Sequence, residues 1–216
     1  MDVNEVRVCC LAGTGGTGKT TVVENLLEAY PRKFRFKPSI VRAFYKKAGI
    51  KREEDFFNGL SKYEQSDFQV SLMKYYMCTL NEEIQDVVSI APEHRPHLLL
   101  DRSIYDHVAY WFVYCMTSLS EADIATVQVE IDTFKMWPTR IVYFPFPVGW
   151  DYANGADGFR FRSWGKDFVH DSVLRRLLRD NYLSRGTEPL KLFTLTNNSD
   201  VPFRSNLVYK HATGNW

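Results

Sequence analysis

The sequence predicts an α/β fold in which a five-stranded parallel sheet is covered by helices on both faces. Short apolar runs alternate along the chain with longer amphipathic segments, which is the order that a parallel sheet with crossover helices requires. The 216-residue chain is 45% hydrophobic and 25% charged, so it can bury a core without disulfides. No linker interrupts this pattern, and we expect one domain spanning residues 1–216.

The predicted strands are five apolar runs. They cover residues 6–12, 40–45, 97–101, 140–144 and 190–195. The first run is apolar throughout except for Arg7, which is typical of a strand that is buried on both faces. The third run ends at Asp101, so it places a carboxylate at the carboxyl end of a buried strand.

Helical spacing of apolar side chains predicts the segments between the strands. These helices cover residues 20–30, 66–89, 104–116, 120–135 and 167–183. Pro31 ends the first helix, and Ser120 caps the start of the fourth. Ser66 and Gln69 are predicted to form a capping box at the start of the longest helix.

A glycine-rich segment joins the first strand to the first helix. It fits G-x-x-x-x-G-K-S/T without a departure and predicts the phosphate-binding loop of a P-loop NTPase, with ATP and Mg²⁺ as cofactors. Lys19 is predicted to reach the β- and γ-phosphates, and the Thr20 hydroxyl is predicted to hold Mg²⁺. The residues predicted to bind the nucleotide are Gly13, Thr14, Gly15, Gly16, Thr17, Gly18, Lys19, Thr20 and Thr21.

The same glycines also fit G-x-G-x-x-G, the fingerprint of a dinucleotide site. That interpretation requires an acidic residue about 20 positions further on, and residues 31–52 contain none. It also leaves Lys19 and Thr20 without a role. The phosphate-binding loop is therefore the favoured interpretation.

Asp101 is the second candidate site residue. Ligands of open α/β sheets bind at the carboxyl ends of the strands, where a carboxylate can hold Mg²⁺ directly or through water. Asp101 also precedes a helix and can act as its N-cap, and the two roles can coexist.

Residues 101–110 read Asp-Arg-Ser-Ile-Tyr-Asp-His-Val-Ala-Tyr. This resembles D-R-Y/H/F-x-x-S-x-x-A-Y of the thymidylate kinase family, although Ser103 and Asp106 depart from the pattern. The Asp-Arg-Ser triplet is also similar to Glu-Arg-Ser of deoxyribonucleoside kinases. The resemblance implies that Arg102 contacts the acceptor and stabilises transferred charge together with Lys19, whereas Asp101 and Thr20 hold Mg²⁺. It also implies that Tyr110 lines the substrate pocket.

A lid is the third part of the resemblance. Asp157-Gly158-x-Arg160 looks like the lid of ribosylnicotinamide-kinase-like and phage nucleotide-kinase-like ATPases. The resemblance implies a mobile lid at about residues 147–166, with Arg160 and Arg162 closing over the phosphates. A lid of this kind excludes water, which would otherwise hydrolyse ATP.

The predicted acceptor is a nucleotide. Residues 37–52 offer Arg42 and lysines but no carboxylate, which disfavours a neutral nucleoside unless Asp101 or Asp106 is the base. An arginine suits an anionic acceptor such as a nucleoside monophosphate. Phe68 and Gln69 are candidates for holding a flat base, with core packing and capping as the alternative.

Nine basic residues and no acidic ones lie between Pro31 and Arg52, interleaved with aromatic side chains. Such a stretch can be a solubilising edge, a funnel for mononucleotides or a surface for single-stranded nucleic acid. In parts the chain also resembles phage enzymes that phosphorylate hydroxymethylpyrimidine bases in DNA, and this resemblance implies the last possibility. Such an enzyme must take the base out of its stack.

These observations predict an ATP-dependent kinase that transfers the γ-phosphate to a nucleotide-type acceptor. The alternatives are the same transfer onto a hydroxymethylpyrimidine base within DNA, a nucleic-acid-binding ATPase without an acceptor, and a nucleotide sensor without turnover. The four cysteines lack metal-ligand spacing, and no apolar run reaches the roughly 20 residues that span a bilayer. We expect a cytoplasmic protein (in the host cytoplasm if phage-encoded) without a membrane partner, and the oligomeric state is not predicted.

Overall fold

A parallel sheet forms the centre of the molecule. The computed structural model describes residues 7–115, 120–137, 139–146, 164–182, 192–195 and 200–214. The strands are β1 (Val8–Ala12), β2 (Phe34–Lys37), β3 (His97–Asp101), β4 (Thr139–Tyr143) and β5 (Leu192–Thr194). They pair in the order β2-β3-β1-β4-β5, and every pairing is parallel. The predicted five-stranded parallel sheet is confirmed.

Helices cover both faces of this sheet. They are α1 (Lys19–Ala29), α2 (Val41–Lys47), α3 (Glu53–Gly59), α4 (Lys62–Val88), α5 (Ile104–Cys115), α6 (Glu121–Lys135), α7 (Trp164–Tyr182) and α8 (Val201–Thr213), with a 3₁₀ turn at Pro92–His94. Helices α1 and α8 pack on one face, and α4, α5, α6 and α7 contribute to the core on the other. None of the helices in the described part of the chain is long and apolar enough to cross a bilayer.

Strand β1 lies between these two cores. Cys10 packs with the core on the α4 face, whereas Cys9 and Leu11 pack with the core on the α1 face, and all three are completely buried. The alternation follows from the two-residue period of a strand, and burial on both sides explains the continuous apolar run.

The prediction for the second strand is wrong. Residues 41–47 form α2, because Val41, Phe44 and Tyr45 share one helical face. The strand is instead Phe34–Lys37, whose alternating basic residues concealed it. Glu83 of α4 lies 2.8 Å from Arg35 and 2.7 Å from Lys37, so ion pairs accommodate the charges.

The longest helix begins earlier than predicted, and its capping box is a different one. The Ser61 hydroxyl accepts a hydrogen bond from the Glu64 backbone N–H, and the Ser61 N–H donates to Glu64 Oε2 at 2.8 Å. Ser66 and Gln69 lie buried inside the helix instead. Helices α3 and α8 were not predicted, and both contribute to the candidate site.

Candidate functional site

The predicted phosphate-binding loop connects β1 to α1. Gly13 has φ +139°, and a Cβ atom there would lie 2.4 Å from the Phe144 carbonyl oxygen. Gly16 and Gly18 also have positive φ angles, of +76° and +82°. These conformations are accessible to glycine at little cost, which explains the glycine pattern of the loop.

Lys19 occupies the centre of the loop. Its Nζ donates to the Gly13 and Thr14 carbonyl oxygens, both at 2.7 Å, and to Thr17 Oγ1 at 3.2 Å. The side chain is buried, so its positive charge is held next to the positive end of α1. Loop backbone, lysine and helix terminus together fit the phosphates of a nucleotide.

Asp101 lies at the carboxyl end of β3, where Leu11 of β1 is its register partner. Its Oδ1 is buried and has no hydrogen-bond partner among the described residues. An unpartnered carboxylate oxygen beside the loop fits a role as a Mg²⁺ ligand, with the exposed Thr20 in the first turn of α1 as the second protein group. The described residues contain no cluster of three His, Cys, Asp or Glu that could hold a metal without substrate oxygens.

Arg102 joins the loop to the helix that follows β3. Its φ of +91° is the only positive value among the described non-glycine residues. The Arg102 N–H donates to the Leu11 carbonyl oxygen at 3.1 Å, and the Tyr76 hydroxyl donates to the Arg102 carbonyl oxygen at 3.1 Å. Its Nη1 lies 3.5 Å from the Gly13 carbonyl oxygen. A strained backbone held from two sides is typical of functional positions.

Asp106 ties the loop to α5. Its Oδ1 accepts the Gly13 N–H at 2.8 Å. Its Oδ2 accepts the Ser103 N–H at 2.8 Å and the Ser103 hydroxyl at 2.7 Å. Arg102 Nη1 is 3.6 Å from Oδ1, and the side chain is completely buried. Both oxygens of this carboxylate already accept hydrogen bonds from the loop or from Ser103, which makes it a poor general base.

A pocket opens beside Arg102, and we call it the acceptor pocket. Its cavity volume is about 60 Å³, and the empty space rises to about 490 Å³ when the part that is open to solvent is included. The residues that line it are Ser39, Val41, Arg42, Tyr45, Glu53, Gln69, Leu72, Arg102, Asp106, His107 and Tyr110. The structure thus brings together four predicted substrate residues, Arg42, Gln69, Arg102 and Tyr110.

Phe68 does not line the acceptor pocket. Its ring centroid lies 5.0 Å from that of Phe44, 4.9 Å from that of Tyr45 and 5.1 Å from that of Phe56. Phe68 therefore packs in an aromatic cluster behind the pocket wall.

Glu53 is the charged pocket residue that sequence reasoning missed. The Tyr110 hydroxyl donates to Glu53 Oε1 at 2.5 Å, and Gln69 Nε2 donates to the Tyr45 hydroxyl at 3.3 Å. Burial, together with Tyr45 and Glu53, raises the pKa of Tyr110 well above its usual value, so its proton stays on the phenol. The sequence window 37–52 ended one residue before Glu53, and the unpredicted α3 carries it into the pocket.

His107 contributes a neutral ring to the pocket. Burial, with Arg102 nearby, lowers the pKa of His107 to about 3. Its ring centroid lies 5.1 Å from that of Tyr76. The imidazole is uncharged at neutral pH, so the positive charge of this pocket comes from the arginines.

The predicted lid lies mostly outside the described residues. Arg160 and Arg162 are among the residues not described, and positions 164–166 form the start of α7. Thr21, like Thr20, is exposed in the first turn of α1. The roles assigned to the two lid arginines stay predictions.

The basic stretch is divided by the fold. Arg35 and Lys37 pair with Glu83, and Arg52 lies 3.0 Å from Asp55. Arg32 and Lys33 precede β2 at the edge of the sheet opposite the loop. The remaining charges lie on and just after α2, where Arg42 lines the acceptor pocket and the others are Lys46, Lys47 and Lys51.

No protein-family model matches the sequence, and no curated protein sequence is significantly similar to it. Solved structures are similar. NadR in complex with NR has a TM-score of 0.65 and 18% identity over 99% of this chain and 53% of that chain. Thymidylate kinase from Candida albicans has a TM-score of 0.66 and 14% identity over 97% and 92% of the two chains. Deoxyadenosine kinase from M. mycoides has a TM-score of 0.59 and 10% identity over 96% and 99%.

The chain spans about half the length of the NadR structures. At these identities the likeness establishes the fold alone, which this chain shares with the thymidylate kinase and deoxyadenosine kinase structures.

Proposed function

We propose that this protein is a phosphotransferase that moves the γ-phosphoryl group of ATP to a nucleotide-type acceptor in the acceptor pocket. The observation that carries the proposal is the position of Arg102. Its guanidinium reaches the carbonyl of Gly13 in the phosphate-binding loop and also lines the acceptor pocket. One cation therefore serves both sites, which is the arrangement that direct transfer between two bound substrates needs.

The donor side rests on the loop. Lys19 neutralises charge on the terminal phosphates, and Thr20 and Asp101 hold Mg²⁺. Bound Mg²⁺ supplies further charge neutralisation on the phosphate oxygens. The proposal needs no covalent intermediate, because transfer of this kind depends on positioning and electrostatics.

The acceptor side favours a nucleotide by its charge and its amide. Arg42 and Arg102 provide two guanidinium groups, which suit the phosphate of a nucleoside monophosphate. Gln69 lines the same pocket with an amide that can bond to the edge of a base. A monophosphate acceptor is already an oxyanion and needs no base.

Glu53 favours a second candidate, in which the acceptor is a hydroxyl group. Asp106 is committed to the loop, so Glu53 is the pocket carboxylate placed to take a proton. The acceptor oxygen would bond to the γ-phosphorus, the bond to the ADP oxygen would break, and the hydroxyl proton would pass to Glu53. A free nucleoside presents such a hydroxyl, and so does a hydroxymethylpyrimidine base in DNA. In the second case the DNA backbone would lie against the basic residues of α2.

The test is transfer of label from γ-labelled ATP to a panel of acceptors. The panel contains nucleosides, nucleoside monophosphates, and single- and double-stranded DNA with normal or hydroxymethylated pyrimidines. We expect label on a monophosphate, and its loss in Lys19→Ala. Label on a nucleoside or on modified DNA would select the hydroxyl candidate. Free phosphate without a labelled acceptor would contradict both and indicate an ATPase.

Glu53→Gln separates the two candidates. The substitution keeps an acceptor for the Tyr110 hydroxyl but removes the proton-accepting charge. Transfer to a hydroxyl should fall by about 10²–10⁴-fold, because that is the usual contribution of a general base. Transfer to a monophosphate should change by less than about ten-fold, since no proton needs to be removed. Steady-state kcat values with each acceptor are the measurement.

A further inference from the structure

Arg204 of α8 packs against the phosphate-binding loop from outside it. Its Nη2 donates to the Thr17 carbonyl oxygen at 2.8 Å, and its guanidinium carbon lies 5.1 Å from the centroid of the Phe144 ring. A Cβ atom on Gly18 would lie 3.1 Å from Arg204 Nη1. The carbonyl oxygen of Phe144 lies against Gly13 at the start of the loop, and the Phe144 ring lies against Arg204.

The charge of Arg204 has no counter-ion in the described part of the chain. The residue is only 5% exposed, and no described carboxylate forms an ion pair with it. Its Nε is buried without a hydrogen-bond partner. Burial lowers the pKa of Arg204, yet an arginine stays protonated in proteins. A buried cation without an anion is costly, so its retention calls for an explanation.

We propose that Arg204 is a positioning residue for the polyphosphate of the nucleotide and that bound phosphates supply its missing counter-charge. The inference rests on the ATP binding proposed above. Arg204 acts through the peptide that joins Thr17 to Gly18, because its hydrogen bond to the carbonyl polarises that peptide and strengthens the Gly18 N–H as a donor. Its fixed charge also adds to the field of Lys19 in a region shielded from water.

The same contacts could instead serve only to hold α8 against the loop. The two roles give different results in the ligand-free protein. If the contact is purely structural, its removal lowers the stability of the free protein and leaves the affinity for ATP unchanged. If Arg204 is a buried cation that the phosphates compensate, its removal lowers the affinity for ATP. The free protein then keeps its stability, because an apolar side chain has replaced an unfavourable charge.

The experiment compares Arg204→Met and Arg204→Lys with Lys210→Met, which removes one charge from the same helix about 9 Å along its axis. Binding of fluorescent ATP, ADP and AMP analogues is measured by anisotropy, and Tm is measured with and without ATP. We expect Arg204→Met to bind ATP at least about ten-fold more weakly, with a smaller loss for AMP. Arg204→Lys should lose less of the affinity for ATP, and the affinity of Lys210→Met should stay within about two-fold of that of the wild type.

The ligand-free Tm of Arg204→Met should stay within about 3 °C of the wild type. A wild type that does not bind ATP overturns the proposed function and this inference with it. A wild type that binds ATP while Arg204→Met binds it equally well overturns this inference alone. An equal loss for AMP and ATP, or a ligand-free Tm lowered by more than about 3 °C, shows a purely structural contact and also overturns the inference.

Discussion

Asp106→Asn is expected to destabilise the protein strongly. In either orientation of the asparagine amide, its NH₂ group faces a backbone N–H donor, that of Gly13 or that of Ser103. One buried donor then loses its acceptor, which costs about 1–3 kcal/mol. The hydrogen bonds that remain lose their assistance from charge, which adds about 1 kcal/mol or more. The expected loss is about 3 kcal/mol of the roughly 5–15 kcal/mol that stabilise a typical domain.

The assay is urea unfolding followed by tryptophan fluorescence, with the buried Trp111 as one reporter. The midpoint should fall at an unchanged slope, and Tm should fall by about 6–12 °C. Asp132→Asn is the matched control, because Asp132 is largely exposed on α6 and should change stability by less than about 0.5 kcal/mol. An Asp106→Asn protein that folds like the wild type but transfers no phosphate would refute the reasoning, because Asp106 would then be a catalytic group.

Further predictions concern the loop and the pocket. Gly13→Ala should cost about 2–4 kcal/mol in urea unfolding, because its Cβ would lie 2.4 Å from a backbone oxygen. Gly49→Ala, with φ +77° but open space around it, should cost about 1 kcal/mol, and equal losses would contradict the steric argument. The pKa of His107 falls from 6.5 in the unfolded chain to about 3 in the folded protein. The contribution of neutral His107 to the free energy of unfolding is therefore complete above pH 6.5 and is lost as the pH falls towards 3. His107→Gln should therefore show a shallower fall of Tm between pH 6.5 and 4 than the wild type, and parallel curves would exclude His107 as a cause.

The elements that sequence reasoning located correctly are those with a strong local pattern. The apolar run of β1 and the Leu98–Leu100 segment of β3 form buried strands, because such runs fit a parallel sheet that is covered on both faces. Strand β2 was missed because its charges are paired with Glu83, which is far along the chain. A pattern of alternating charge and aromatic residues does not contain that information.

The candidate site divides in the same way. The loop at residues 13–20 could be recognised from sequence, because a phosphate-binding turn is built from consecutive residues whose φ angles require glycine. Asp101 and Arg102 could also be recognised, because Asp101 ends a buried strand and Arg102 directly follows it. The assignment of Phe68 to the substrate site could not be checked without the neighbours Tyr45 and Phe56 that enclose it.

The sequence by itself determined that the sheet is parallel, four of its five strands and the glycine-rich loop, since these depend on local periodicity and on contiguous residues. Only the tertiary structure decided which carboxylate lines the acceptor pocket and which arginine packs against the loop. Asp106 is separated from Gly13 by 93 positions, and Arg204 is separated from Thr17 by 187 positions. Glu53 and Tyr110 are 57 positions apart. Whether such a charged group acts as a base, holds two elements together or stays a buried cation depends on its burial and its partners. Both are set by tertiary packing.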